Sequence, residues 1–137
     1  MNPNRIFVFG SNLAGRHGAG AALFAKRHFG AVYGKGEGLQ GASYAIPTKG
    51  WMIETLPLEA IEKHVERFKA FARTRPDLSF QITAVGCGLA GYTPEQIAPL
   101  FIDSPRNCCL PPEFARALRH SRVTAGSSDE FIRRTRP

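Results

Sequence analysis

The 137 residues fit a single domain, and 43% hydrophobic with 21% charged residues is the composition of a globular core, which excludes a disordered chain. No apolar stretch approaches the ~18 uninterrupted residues of a membrane span, and the run Ile6-Phe7-Val8-Phe9 lacks the length and cleavage site of a signal peptide, so a cytoplasmic address without membrane contact is expected. Eighteen Lys and Arg against eleven Asp and Glu give a net charge of +7, which favours anionic ligands (nucleotide, nucleic acid or an acidic surface) without choosing among them.

In chain order, Arg5 to Phe9 is a short run of β-favouring apolar residues that ends in Gly10-Ser11-Asn12, a buried strand entering a loop. That loop carries Gly15, Gly18 and Gly20. It gives way to Ala21-Ala22-Leu23-Phe24-Ala25-Lys26-Arg27, strong helix formers with a basic end suited to the helix C-terminus. Residues 30–41 hold five glycines, which predicts a flexible surface loop. Ala42 to Ile46 reads as a second strand ended by Pro47, with Thr48 and Lys49 just past its edge.

A helix is predicted from Pro57 to Ala72, where Leu58, Ile61, Val65, Phe68 and Phe71 recur every three or four residues. Glu62, Lys63, Glu66 and Lys69 lie off that stripe, on the face expected to meet solvent. Ser79 to Val85 reads as a third strand, which delivers the chain into Gly86-Cys87-Gly88-Leu89-Ala90-Gly91-Tyr92. Thr93 as N-cap, Pro94 at the first helical position and Gln96 three residues after the cap then form a capping-box signature.

Pro111 and Pro112 open a further helix through Leu118, and Arg122-Val123-Thr124 reads as a short last strand. Alternation of strands and helices predicts an α/β domain with a mostly parallel sheet over residues 1–125. Residues 126–137, with Arg133, Arg134 and Arg136, read as a basic tail. Cys87 stands alone and Cys108 adjoins Cys109, which is neither a disulfide framework nor the spacing of a zinc site. His28, His64 and His120 are scattered; neither a metal nor a cofactor is assigned.

Ligands of such sheets settle beyond the carboxyl ends of the strands, so the segments Gly10–Gly20, Pro47–Gly50 and Gly86–Tyr92 are expected to meet in one cleft. Two of them run into helix N-termini. There, unpaired amides and the positive dipole end attract anions, and glycines admit a phosphate close to the backbone. Gly86-x-Gly88-x-x-Gly91 also meets the bare dinucleotide fingerprint, but it lies late in the chain and no ribose-binding acid follows about twenty residues on. A nicotinamide dehydrogenase is not the reading.

Three stretches together resemble the macro domain family, whose members bind ADP-ribose. Val8-Phe9-Gly10-Ser11-Asn12 through Gly18-Ala19-Gly20-Ala21-Ala22 is similar to its first strand, loop and helix, with Asn12 at the loop asparagine. Ala45-Ile46-Pro47-Thr48-Lys49 is similar to its middle strand end, and Val85 to Tyr92 to its second phosphate loop. The resemblance implies a three-layer domain with a mixed, mostly parallel sheet flanked by helices. It implies that Gly18, Ala19 and Gly20, with Gly86, Cys87, Gly88, Leu89, Ala90 and Gly91, bind the ligand through the backbone, while Tyr92 lies against a ribose or base.

Lys49 is similar in position to the nucleophilic lysine of macro domains that remove ADP-ribose from acidic side chains, whose amine attacks the anomeric carbon of the ribose; Lys49 and Asn12 are therefore the catalytic candidates. Those hydrolases carry an aspartate where this chain has Ala90, and no carboxylate stands between Asn12 and Lys35. That departure shifts the reading from hydrolase towards binder, with Lys49 a solvated loop lysine or one that only pairs with phosphate. Glu37 and Asp103 are the nearest replacements for the family's adenine-contacting acid, each also readable as a surface charge. His17 beside Arg16 reads as an exposed loop histidine able to reach phosphate, and Trp51 and Tyr44 as core fillers flanking the Pro47-Thr48-Lys49 turn. The expected partner is ADP-ribose or an ADP-ribosylated macromolecule. The alternative is a basic module that binds nucleic acid through Lys26, Arg27, Arg116, Arg119, Arg122 and the tail arginines.

Overall fold

Alternating apolar residues set the architecture. In β1 (Arg5–Asn12), Ile6 and Val8 belong to one buried cluster, and Phe7 and Phe9 to another. A strand places successive side chains on opposite faces, so β1 is covered on both sides and sits at the centre of its sheet. The computed structural model describes residues 4–124, and the predicted tail at 126–137 lies outside the described residues.

Four further strands complete the sheet: β2 (Gly38–Gln40), β3 (Ser43–Lys49), β4 (Ser79–Ile82) and β5 (Cys108–Cys109), in the order β2-β3-β1-β4-β5. Only the β2–β3 pairing is antiparallel. The domain is α/β with a mixed, mostly parallel sheet, as the alternation of elements predicts.

The two faces are covered unequally. Helix α1 (Gly20–His28) covers one with small residues, Ala22 and Ala25 against Phe9, Ala31 and Ala45. The other face carries the larger cluster, in which α2 (Leu58–Arg73), α3 (Pro94–Ile97) with the 3₁₀ turn Ala98–Phe101, and α4 (Pro112–Thr124) pack Ile61, Val65, Phe68, Ile97, Phe101 and Phe114 on Ile6, Val8, Tyr44, Ile46 and Phe80. Each large side chain buried there contributes about 1.5–3 kcal/mol, so this face carries most of the hydrophobic stabilisation.

The sequence reading of the fold differs from the structure in several places. Residues 30–41 are more than a loop, because they contain β2. Strand β3 runs through Pro47 to Lys49, since Pro47 lies opposite Ser11, where the register with β1 shifts and the missing N–H costs least. The strand expected to reach Val85 stops at Ile82, where Thr83 turns its amide and hydroxyl onto the Val8 carbonyl. Arg122-Val123-Thr124 continues α4 and forms no strand. Lys69 is buried, its amine bonded to the Leu100 carbonyl at 2.8 Å and to Glu66 at 2.6 Å.

Candidate functional site

The ends of β1 and β3 bring Asn12 and Lys49 side by side. A register shift between Ser11 and Asn12 sets Asn12 opposite Lys49, and the Leu13 amide bonds to the Lys49 carbonyl at 2.9 Å. Asn12 is buried, and its amide brackets the next loop: Nδ2 donates to the Arg16 carbonyl at 3.0 Å, and Oδ1 accepts from the Arg16 amide at 2.9 Å. This geometry makes Asn12 a brace for the loop leading to α1. Lys49 is half-buried, and no ion pair of the described residues engages its amine.

Helix α1 begins without a side-chain cap. Ala19 holds the N-cap position in an extended conformation, the first turn has no acid, and the first internal bond is Leu23 N–H to the Ala19 carbonyl. Among the described residues no acceptor meets the amides of Gly20, Ala21 and Ala22, and the segment Gly18 to Ala22 carries no side chain larger than a methyl group. That is an open anion-binding end.

The loop after β4 makes a second one. It is folded by its own backbone: Cys87 N–H to Ala84 O, Gly91 N–H to Gly88 O and Tyr92 N–H to Gly86 O. These bonds leave the amides of Gly88, Leu89 and Ala90 without an acceptor among the described residues, a concave set of donors of the kind that holds anions. Gly86 has φ +79°, and a Cβ there would lie 3.0 Å from Ile97 Cδ1. The expected capping box of Thr93 and Gln96 is present and fixes the exit into α3.

Both amide sets, with Asn12 and Lys49, line a single cleft of about 880 Å³. Gly18, Ala19, Gly20, Gly86, Cys87, Gly88, Leu89 and Ala90 line it as well. Gly91 and Tyr92 do not. Tyr92 packs on the core, and its hydroxyl donates to the Leu56 carbonyl at 2.6 Å, so the aromatic expected against the ligand instead anchors the loop.

Neither acid expected to replace the family's is at the cleft. Glu37 is bound by His64 at 2.8 Å and Arg67 at 2.9 Å, and Asp103 is absent from the lining. The carboxylate that does line the cleft is Glu113, from the first turn of α4, which sequence reasoning missed. No local signal marks it, because it reaches the cleft only through the docking of α4. Burial, with Glu113 and Glu95 nearby, pushes the Cys87 thiol up to about 11, so this cleft-lining cysteine stays a neutral thiol at physiological pH.

His17 is fully buried rather than exposed. Its Nε2 lies 3.0 Å from the Lys35 carbonyl and 3.2 Å from Gln40 Oε1, both acceptors, which assigns the proton to Nε2. Its Nδ1 has no partner, and Phe9 meets the ring edge-on. Tyr44 fills the core as expected, with its phenol pushed up to about 12 chiefly by burial; Trp51 is 65% exposed, contrary to its core reading.

Trp51 belongs to a turn that the sequence did not mark as part of the cleft. Gly50 N–H bonds to Glu54 O, Ile53 N–H to Gly50 O, and Met52 N–H to the Glu54 carboxylate. Ile53, a β-branched residue at φ +65°, lines the cleft, a strained conformation retained where the surrounding turn dictates it. Thr55 ties this turn to the second amide loop, its hydroxyl donating to the Ala90 carbonyl at 3.1 Å.

Among the described residues no group of three or more His, Cys, Asp or Glu is placed to hold a metal ion, and no helix is long and apolar enough to cross a membrane. The arrangement can hold an extended anion across two sets of backbone donors, in a cleft lined also by the cations Arg16 and Lys49 and by one carboxylate, Glu113. Comparison with protein-family models, with curated proteins and with solved structures returns no match for the chain.

Proposed function

We propose that the cleft binds ADP-ribose or a closely related nucleotide diphosphate, with the diphosphate between the start of α1 and the Gly88–Ala90 turn. The observation that carries this reading is the convergence of two uncapped amide sets on one cleft, in loops that contain no carboxylate. A phosphate at each set exchanges water for fixed N–H donors and the positive end of a helix dipole. The volume is in the range of small-ligand sites, and the chain's charge of +7 favours an anion at long range. Lys49 and Arg16 add two cations to the same lining.

Calorimetric titration with ADP-ribose, with AMP and ribose 5-phosphate as controls, tests the reading. Saturable binding that both fragments reproduce only weakly is expected. No heat and no thermal stabilisation at millimolar ADP-ribose overturns it, and a steeply salt-dependent association with DNA or RNA that ADP-ribose fails to compete supports the basic-module alternative. Hydrolysis in the same cleft requires a neutral Lys49 amine to attack the anomeric carbon as its bond to the ester oxygen breaks, without an acid at position 90. The acidic side chain leaves as a carboxylate, the amine's proton passes to solvent, and water then frees the ribose from the lysine. On that route Lys49→Ala abolishes release of ADP-ribose from a modified acidic side chain, and unchanged turnover in the variant eliminates it.

A further inference from the structure

We propose that Glu113 binds the cis-diol of the ligand's nucleoside ribose, so that the cleft takes its ligand in one direction, with the far ribose at Lys49 and the nucleoside at α4. The proposal rests on the nucleotide-diphosphate reading of the cleft. Its first support is order along the sheet edge. Lys49 ends β3, Asn12 ends β1, and the Gly88–Ala90 turn follows β4, and these three strands are neighbours in the order β3-β1-β4. With strands about 4.8 Å apart, Lys49 and the end of β4 are separated by about 10 Å. Helix α4 follows β5, the strand beyond β4, and packs on α3, so strand order puts Glu113 on the β4 side of the cleft, away from Lys49. A ribose–diphosphate–ribose ligand has this same sequence of groups.

The second support is chemical. An ionised carboxylate only accepts hydrogen bonds, through two oxygens. A vicinal diol offers two O–H donors to such a pair, whereas the edge of adenine alternates donor with acceptor and turns a lone pair on the carboxylate. A phosphate at this point meets like charge. Glu113 is exposed, and none of the ion pairs of the described residues uses it. Its field already reaches the amide loop, where it helps keep the Cys87 thiol protonated. Past Glu113 and Pro94 the surface opens into a second hollow of about 430 Å³ flanked by Arg116 and Arg119, which leaves room for a base beyond the ribose.

Calorimetry on the full chain and its Glu113→Ala and Glu113→Gln variants, against ADP-ribose and its analogue lacking the adenosine 2′-hydroxyl, tests the assignment. Glu113→Ala is expected to weaken ADP-ribose about tenfold or more, with a smaller loss for Glu113→Gln. The wild type loses a comparable factor with the deoxy analogue, and Glu113→Ala loses nothing further with it. ADP-ribose carrying a 2′-phosphate binds the wild type more weakly than ADP-ribose, and Glu113→Ala narrows that gap. Equal ADP-ribose affinity in wild type and Glu113→Ala, or independent losses from variant and analogue, overturns the assignment and leaves the nucleotide reading intact. Failure of the wild type to bind ADP-ribose overturns that reading itself.

Discussion

The two amide loops have the same open donors but are held in different ways. The loop from Asn12 to Gly20 has one internal brace, Asn12 on Arg16, and is otherwise fixed from outside: Ser11 Oγ donates to the Gly36 carbonyl, and buried His17 bonds to the segment carrying Lys35 and Gln40. The loop from Gly86 to Tyr92 is fixed more from within, by three local backbone bonds and the capping box that follows, with outside ties from the Thr55 hydroxyl to the Ala90 carbonyl and from the Tyr92 hydroxyl to the Leu56 carbonyl. A cradle of backbone amides has no side chain of its own to hold it in place. One loop therefore depends largely on residues 18 to 25 positions away, and the other mainly on its own turn.

That difference predicts where stability and binding part company. A large effect is expected just outside the cleft lining, at Gly36, where an added Cβ would lie 2.4 Å from the Asn12 carbonyl oxygen and 2.5 Å from that of Leu13. Backbone cannot yield as a side chain does. Gly36→Ala is expected to cost about 3 kcal/mol or more in denaturant unfolding and to disable the first amide set at a distance. A loss under 1 kcal/mol would show that the first loop is held by something else.

Gly86→Ala comes next, because it combines a left-handed φ of +79° with a 3.0 Å approach to Ile97 Cδ1. Ile97 is a side chain and can shift, so the expected cost is about 1–3 kcal/mol, arising mostly from the backbone. Chemical denaturation measures it, and an unchanged midpoint would show that the second loop does not need this conformation. Asn12→Ala removes two hydrogen bonds from a buried position and should cost about 1–3 kcal/mol. Because Asn12 acts as a brace, Asn12→Ala should weaken ADP-ribose in proportion to the loosening of the loop. A variant of full affinity and lost turnover would restore it as a catalytic group.

The contrast also explains what was legible in the sequence. β1, α2 and the Thr93 capping box could be read because local periodicity or local hydrogen bonding makes them. β2 could not, since three residues with one glycine become a strand only by pairing with β3. β5, only two residues long, is likewise created by its neighbour β4. The β-branched Val123 and Thr124 suggested a strand, yet they extend a helix whose Phe114 and Ala117 are anchored in the core. The glycine loops and Lys49 could be placed at the cleft because strand ends fix them. His17, whose partners lie 18 and 23 residues on, and Glu113, carried in by α4, depend on tertiary packing alone.

A smaller and more general effect comes from the thiols. Burial holds Cys87 and Cys108 at about 11 in the folded chain, above the ordinary thiol value of 9.0. Both states are protonated below pH 9, and above it the unfolded chain releases these protons first. The contribution is therefore intact below about pH 9 and declines as pH rises towards 11. Thermal melts from pH 8 to pH 11 should show this decline, reduced in Cys87→Ser/Cys108→Ser relative to the wild type; an identical slope would assign the loss to other groups.

The smallest stability effect is expected inside the second amide set itself. Gly88 has no left-handed φ, and a Cβ built there meets nothing within 4 Å, so nothing in the protein requires glycine at this position. Gly88→Ala should change folding stability by about 0.5 kcal/mol or less. In the cleft, however, the new methyl group stands among the amides where a phosphate must approach the backbone closely. Gly88→Ala should therefore unfold like the wild type and bind ADP-ribose several-fold more weakly, the reverse of a loop glycine kept for folding. If its affinity is unchanged, the diphosphate does not rest on the Gly88–Ala90 turn, and the start of α1 is left as the sole anion-binding end of the cleft.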